Sequence, residues 1–402
     1  MQARIKQGKA KGRIQAPPSK SMAHRYLICA ALSEGESVIT NVAYNQDILA
    51  TLDCIRAYGA SVTTDGDTVR ISGIRPPSSA SRTFPCRESG STLRFFIPIA
   101  MLSQGQSTFT GSETLLGRPL SVYEDMIKKS GGTFQSGGGR ITLEAVLTND
   151  TLRVPGDISS QFITGLLFAL AATGRAGRIE IAPPVESRPY INMTLQAMRR
   201  FGIDVDWQND TTLTIAEGCS YKPAEVRVEG DYSNAAFLDA LNVIGGDVTV
   251  LGMDPESLQG DKVYAEHFAA IGRGFAEIDL TDCPDLGPIL MATAAACEGA
   301  HFTGTRRLAI KESDRGKVMC TELERFGVKS ERKENEITVF PSHLAAPVSM
   351  PEGHNDHRIV MSIATLLTLT GGCVQGAEAV RKSYPDYFDR LRELGIEVEI
   401  HE

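Results

Sequence analysis

Apolar and polar positions along this chain repeat in a unit of about 70 residues. Each copy reads as an alternating strand, a loop, an amphipathic helix closed by glycine, and a further strand-like segment. The helix ends are Ile55-Arg56-Ala57-Tyr58-Gly59, Ile127-Lys128-Lys129-Ser130-Gly131, Met198-Arg199-Arg200-Phe201-Gly202, Phe268-Ala269-Ala270-Ile271-Gly272, Leu323-Glu324-Arg325-Phe326-Gly327 and Leu391-Arg392-Glu393-Leu394-Gly395. Each glycine suits the left-handed position just past a helix, where a Cβ is penalised. The intervals between them are 72, 71, 70, 55 and 68 residues. That period is too long for a solenoid and suits a βαβαββ subdomain, so six copies predict two lobes of three.

A second kind of helix lies between these, as in Ser91-Thr92-Leu93-Arg94-Phe95-Phe96-Ile97-Pro98-Ile99 and Ser160-Gln161-Phe162-Ile163-Thr164-Gly165-Leu166-Leu167, with others starting near Asn234, Pro288 and Ile359. Apolar on nearly every side, these helices belong at the lobe centres. Gly137-Gly138-Gly139 sits between strand-like segments and reads as a hairpin turn. The 55-residue interval is the anomaly. After Gly272 the chain runs almost directly to Ile278-Asp279-Leu280, so roughly fifteen residues, about one hairpin, are missing from the fourth unit. One outer sheet should therefore be smaller, with the lobe still closed.

Composition narrows the setting. A length of 402 residues with 42% hydrophobic content supports two or three domains with real cores. No apolar run approaches a bilayer span, and Met1-Gln2-Ala3-Arg4-Ile5-Lys6 lacks a signal-peptide core. The eight cysteines form no C-x-x-C, which points away from zinc sites and disulfide frames and towards a soluble protein of a reducing cytoplasm. A net charge of −8 and a pI near 5.5 argue against a nucleic-acid footprint. The cations instead fall in short clusters beside Gly, Ser and Pro, a pattern that fits small anionic substrates.

The most telling cluster is Pro17-Pro18-Ser19-Lys20-Ser21-Met22-Ala23-His24-Arg25. Prolines forbid helix before a serine cap, and Lys20 and Arg25 then lie at a helix start, where cations serve no capping purpose but an anion would be held. A basic surface turn is the plain alternative. Gly90-Ser91-Thr92-Leu93-Arg94 opens a buried helix with a glycine that admits close approach, two hydroxyls and an arginine. Asp157-Ile158-Ser159-Ser160-Gln161 offers more hydroxyls than one cap needs. Ser187-Arg188-Pro189-Tyr190 and Leu116-Gly117-Arg118-Pro119 place Arg-Pro before helices one repeat apart, as plausible anion contacts. Lys311-Glu312-Ser313-Asp314-Arg315 reads alone as a surface ion-pair run. Asn355-Asp356-His357-Arg358 puts an arginine at the mouth of a buried helix, and Lys382 lies in the last cluster. His354 and His357 have no third ligand nearby, so a metal is not indicated. P-loop, G-x-G-x-x-G and G-x-S-x-G motifs are absent from the sequence.

Taken in order, these motifs, with Pro284-Asp285 and Lys382-Ser383-Tyr384-Pro385-Asp386, resemble the 5-enolpyruvylshikimate-3-phosphate synthases over nearly the whole chain. The resemblance implies an α/β (α+β) protein with the enolpyruvyl transferase fold, an inside-out α/β barrel of two lobes, each of three βαβαββ units. Residues 1–17 with 230–402 would form one lobe, 18–229 the other, and the site would lie in the cleft between them. It also implies transfer of the enolpyruvyl group of phosphoenolpyruvate to the 5-hydroxyl of shikimate 3-phosphate, with no metal or organic cofactor; a monomer of the cytoplasm is the expectation.

By the same resemblance, Lys20, Ser21, Arg25, Ser159, Ser160, Gln161, Ser187, Tyr190, Asp285 and Lys311 would bind shikimate 3-phosphate. Lys20, Gly90, Arg94, Arg118, Gln161, Arg315, Arg358 and Lys382 would surround phosphoenolpyruvate. Asp285 would hold or deprotonate the 5-hydroxyl, and Glu312, with Lys20 as another acid, would exchange the proton at the methylene carbon. Gly90 would leave room for glyphosate, the competitor of phosphoenolpyruvate in this family. Three departures stand out: Thr114-Leu115-Leu116 lacks an arginine many relatives carry, Arg307 replaces an asparagine found in some, and the shortened unit just precedes Asp285. The sister transferases acting on UDP-N-acetylglucosamine are the alternative, but 112–118 holds no cysteine of the kind they use. A non-catalytic paralogue is the other alternative.

Overall fold

The computed structural model describes every residue except 77, 78 and 80. The chain divides into two compact units, Met1–Pro17 with Gly230–Glu402, and Pro18–Glu229. Within Pro18–Glu229 the repeat is plainest in strand Arg82–Pro85, helix Gly90–Ala100, strand Gln106–Thr110, helix Ser121–Lys129, and strands Thr133–Gly137 and Arg140–Glu144. The first two strands are parallel, and the last forms a hairpin with the third while pairing antiparallel with the second. The same order recurs in the sheet of Thr151–Pro155, Gly177–Ala182, Thr212–Ile215 and Val205–Asn209. It recurs again, in the other unit, in Ala276–Asp279, Ala300–Thr303, Glu336–Val339 and Ser330–Arg332.

The remaining sheets are completed by strands from distant parts of the chain. Glu225–Arg227 pairs in parallel with Gly35–Thr40 and so supplies the first strand of a repeat that begins at residue 20. In the other unit Gln2–Ile5 lies between Gly372–Gln375 and Val398–His401, antiparallel to both. Lys11–Gln15 pairs in parallel with Asp247–Leu251, and this sheet has two strands only. It belongs to the fourth repeat, whose hairpin is indeed absent.

Five of the repeat glycines take the left-handed conformation, with φ of 116° at Gly59, 80° at Gly131, 78° at Gly202 and Gly327, and 85° at Gly395. Gly272 does not: its φ is −68°, against the sequence expectation. With no hairpin to begin, helix Tyr264–Ile271 runs on, Gly272 N bonding Phe268 O at 2.9 Å. Gly274 takes the positive φ instead, 143°, just before strand Ala276–Asp279.

The core of Pro18–Glu229 is formed around helices Lys20–Ala31, Gly90–Ala100 and Ser160–Ala172, buried along most of their length. The latter two pack at close range at Gly165, where a Cβ would lie 2.6 Å from Arg94 O and 3.0 Å from Pro98 Cγ. Pro98 has no N–H for the carbonyl of Arg94 one turn earlier. Tyr123 compensates, its hydroxyl donating to Arg94 O at 2.7 Å and so satisfying an otherwise orphaned buried acceptor. Helices Tyr232–Val243, Gly287–Ala295 and His357–Thr370 play the same part in the other unit.

Candidate active site

In Pro18–Glu229 the residues singled out in the sequence gather at the N-termini of four helices. Ser19 caps Lys20–Ala31, accepting from Met22 N at 3.4 Å, and the first turn holds no acid. The counter-charge comes from the next helix: Lys20 Nζ lies 2.7 Å from Asp47 Oδ2, both largely buried. Arg25, 3% exposed, donates from Nε to Thr194 Oγ1 at 2.9 Å and from its terminal nitrogens to Ser21 O at 2.7 Å and Tyr190 O at 2.9 Å. These acceptors are neutral, and burial lowers its pKa to about 10.

Ser89 caps the helix Gly90–Ala100, and Arg94 projects from the start of its second turn. Arg94 donates to Gln161 Oε1 at 2.7 Å and lies over the ring of Phe162, while Gln161 Nε2 reaches Ser91 Oγ at 2.9 Å. Gly90 faces the same cations: a Cβ there would come within 2.6 Å of a terminal nitrogen of Arg118 and 3.4 Å of one of Arg94. Ser159 caps Ser160–Ala172, and Ser160 is buried beside it. Ser187 is held in the left-handed region at φ 56°, costly for a non-glycine residue and concentrated at functional sites, ahead of the helix carrying Tyr190.

The two Arg-Pro steps part company. Arg118 shares the Gly90 corner, whereas Arg188 pairs with Asp210 at 3.3 Å and stacks 4.1 Å over Trp207. Arg188 is thus engaged with its own sheet rather than with the Gly90 corner.

The unit of Met1–Pro17 and Gly230–Glu402 contains a denser charge network. Asp285 Oδ1 lies 3.0 Å from Lys311 Nζ and 2.9 Å from Arg315, and Oδ2 lies 3.2 Å from Arg358. Arg315, 1% exposed, also holds Glu312 at 2.5 Å and the fully buried Asp356 at 2.8 Å. Burial pushes the Asp285 carboxyl up, but Arg358, Lys311 and Arg315 overcome this and hold it well below the usual carboxylate range. Burial lowers the Lys311 ammonium in spite of Asp285. Burial also disfavours charge on Arg315, yet Asp356, Glu312 and Asp285 outweigh it and raise its pKa. Lys382 Nζ donates to Asn355 O at 2.7 Å, and Asp356 caps the helix that begins with His357 and Arg358. Lys311, Glu312 and Arg315, readable alone as a solvated run, therefore belong to a half-buried cluster centred on the buried Arg315.

The shortened repeat does not leave the Asp285 loop unsupported. Arg307, where some relatives have asparagine, is buried and donates to Thr281 O. Cys283 Sγ lies 3.7 Å from His267 Nε2 on the short repeat's own helix. Two residues of the site escaped the sequence reading. Asp47 follows the Asn45 cap and looks like an ordinary first-turn acid, and Asp356 looks like a plain cap; each becomes a counter-ion only through tertiary contact. Among the described residues no group of three or more His, Cys, Asp or Glu is arranged to hold a metal ion.

Comparison with known proteins decides among the enolpyruvyl transferases. The sequence pattern of the EPSP synthases (3-phosphoshikimate 1-carboxyvinyltransferases) matches residues 5–391. The chain belongs to the EPSP synthase family. It is 35% identical to the 3-phosphoshikimate 1-carboxyvinyltransferase of Clostridium kluyveri, over 97% of this chain and 96% of that protein. The enzyme of the same name from Clostridium beijerinckii is 36% identical, over 98% and 97%. Among solved structures, EPSP synthase from Acinetobacter baumannii superposes with a TM-score of 0.76 at 24% identity, covering 99% of this chain and 100% of that one. The enolpyruvyl transferase NikO from Streptomyces tendae gives 0.76 at 14% identity, covering 99% and 98%. These two likenesses establish the enolpyruvyl transferase fold.

Proposed function

We propose that this EPSP synthase family member transfers the enolpyruvyl group of phosphoenolpyruvate to the 5-hydroxyl of shikimate 3-phosphate, releasing phosphate. The observation that carries the reading is the family match over residues 5–391. The charged site residues gathered in each unit supply the groups that this chemistry needs.

C3 of phosphoenolpyruvate gains a proton while C2 becomes electrophilic, the 5-hydroxyl oxygen bonds to C2, and loss of phosphate and of one C3 proton restores the double bond. Glu312 handles the C3 proton, with Lys20 as the other candidate acid. Asp285 receives the hydroxyl. Its low pKa keeps it ionised and makes it a weak base while Lys311 and Arg358 hold it. A substrate anion that engages those cations loosens the hold and strengthens the base when it is needed. Ser21, Arg25, Ser159, Ser160, Ser187, Tyr190 and Lys311 bind shikimate 3-phosphate. Gly90, Arg94, Arg118, Arg315, Arg358 and Lys382 surround phosphoenolpyruvate, with Gln161 reaching both. The cations named neutralise two substrates that would otherwise repel each other, and they hold the departing phosphate.

We place the reaction in the cytoplasm, carried out by a monomer on small anions rather than nucleic acid. The acidic pI of about 5.5 supports the last point, and no described helix is long and apolar enough to cross a membrane. The test is phosphate release by the purified protein with each substrate omitted in turn. Release requiring both, and abolished in Asp285→Ala and Glu312→Ala, is the expected result. Shikimate 3-phosphate binding without release would identify a non-catalytic paralogue.

A further inference from the structure

A second cluster of charge in the unit of Met1–Pro17 and Gly230–Glu402 has no part in the reaction as described. Glu322, on helix Arg315–Arg325, is fully buried. A buried carboxylate is costly unless fully engaged, and this one is. His354 Nε2 lies 2.8 Å from Oε1, Glu352 N donates to Oε2 at 3.1 Å, and Arg325 lies 3.0 Å away, one turn on. Arg325 in turn donates to Ser349 Oγ at 2.6 Å and to Met350 O at 3.2 Å.

The segment so held is unusual. His354 and Asn355 are consecutive non-glycine residues in the left-handed region, at φ 49° and 53°. Such a pair persists only where its surroundings over-determine it. Immediately after it, Asp356 caps the helix of Arg358 and meets Arg315, while Asn355 O takes Lys382 Nζ. One helix therefore grips the segment at both ends, through Arg315 at its start and through Glu322 and Arg325 near its finish.

We infer that Glu322 and His354 are positioning residues which fix the strained His354–Asn355 turn and thereby set Arg358 and Lys382 for phosphoenolpyruvate. This rests on the assignment of those two cations to phosphoenolpyruvate. If the clamp is released, the turn relaxes, and the carbonyl that anchors Lys382 and the cap that orients Arg358 move with it. Of the residues assigned to shikimate 3-phosphate, only Asp285 and Lys311 belong to this network, and the others lie in Pro18–Glu229, so that substrate should be affected far less.

His354→Gly tests this, because glycine offers no hydrogen bond to Glu322 and leaves the backbone free to move out of the left-handed region. The expected result is a KM for phosphoenolpyruvate raised about tenfold, with the KM for shikimate 3-phosphate within about twofold of wild type. His354→Gln, which restores a donor, should recover most of the loss. Glu322→Gln, with one acceptor oxygen for three donors, should reproduce the effect; if it does not fold, His354→Gly carries the test. Lys382→Ala is measured alongside. A KM for phosphoenolpyruvate raised in Lys382→Ala but unchanged in His354→Gly overturns the positioning role alone. No change in either overturns the assignment of Lys382 as well. Equal rises for both substrates in His354→Gly would reduce the clamp to a general support of the fold.

Discussion

Arg25 and Arg315 are both almost wholly buried, yet their charges are treated in opposite ways. Arg25 is surrounded by a threonine hydroxyl and two carbonyls, and burial alone brings its pKa down to about 10. Arg315 meets three carboxylates, which outweigh its burial and push its pKa up. Neutral oxygens satisfy the hydrogen bonds of a guanidinium but leave its charge under-compensated, which suits a residue that waits for an anion. Arg315 is already neutralised, and it organises Asp285, Glu312 and Asp356 before any substrate arrives.

The largest effect should come from Arg315→Met, which removes the cation shared by Asp285, Glu312 and the fully buried Asp356 and leaves Asp285 with Lys311 and Arg358. A loss of about 3–5 kcal/mol in urea unfolding is expected. A loss under 1 kcal/mol would show that the network is mostly solvated. In the other unit, His24 lies buried against Thr51 Oγ1, and its pKa is held well below the usual range by burial, then by Lys20 and Arg25. The unfolded chain binds a proton near pH 6.5 that the folded chain refuses, so stability must fall on acidification through that pH. The slope is at most about 1.4 kcal/mol per pH unit and should flatten in His24→Asn. Asp285 behaves differently: its folded pKa is depressed, so its contribution is present above its unfolded pKa of about 3.9 and is lost only in stronger acid. The two halves should thus yield to acid in different windows. An identical acid slope in wild type and His24→Asn would remove that distinction.

Gly90→Ala should be gentler, since the new methyl meets the flexible end of Arg118 rather than backbone. Raised KM for phosphoenolpyruvate and weaker glyphosate inhibition, each by roughly tenfold or about 1.4 kcal/mol, are expected. Unchanged inhibition in an active enzyme would remove Gly90 from the site. The smallest effect should be that of Arg188→Ala, which forfeits a stack on Trp207 worth about 0.5–1 kcal/mol and leaves both KM values as they were. A raised KM there would restore the second Arg-Pro step as an anion contact.

That pair of Arg-Pro steps marks where reading the sequence stops. A glycine period needs only local chemistry, so the repeats, the buried helices and the missing hairpin were all legible. Gly272 departed because the element it should have introduced is not there. Arg118 and Arg188 share a local pattern, and only the neighbours brought by folding, Gly90 for one and Trp207 with Asp210 for the other, assign them different work. Asp47 and Asp356 were hidden for the same reason. The placement of residues 1–17 with 230–402 came only through the family resemblance, and the strand partners of the borrowed Gln2–Ile5 and Glu225–Arg227 left no local mark, since pairing between strands so far apart in sequence has none.

Those borrowed strands also set a timetable. During synthesis, Gln2–Ile5 is made long before Val398–His401, one of the two strands it must lie between. At about 5–20 residues per second, roughly 20–80 s pass before both partners exist, and for that time an edge-ready strand has no lawful mate. Pro18–Glu229, by contrast, has all of its strands once residue 229 is made. The nascent chain thus carries one finished half while its opening segment stays unclaimed, and that segment is where chaperones have most to guard.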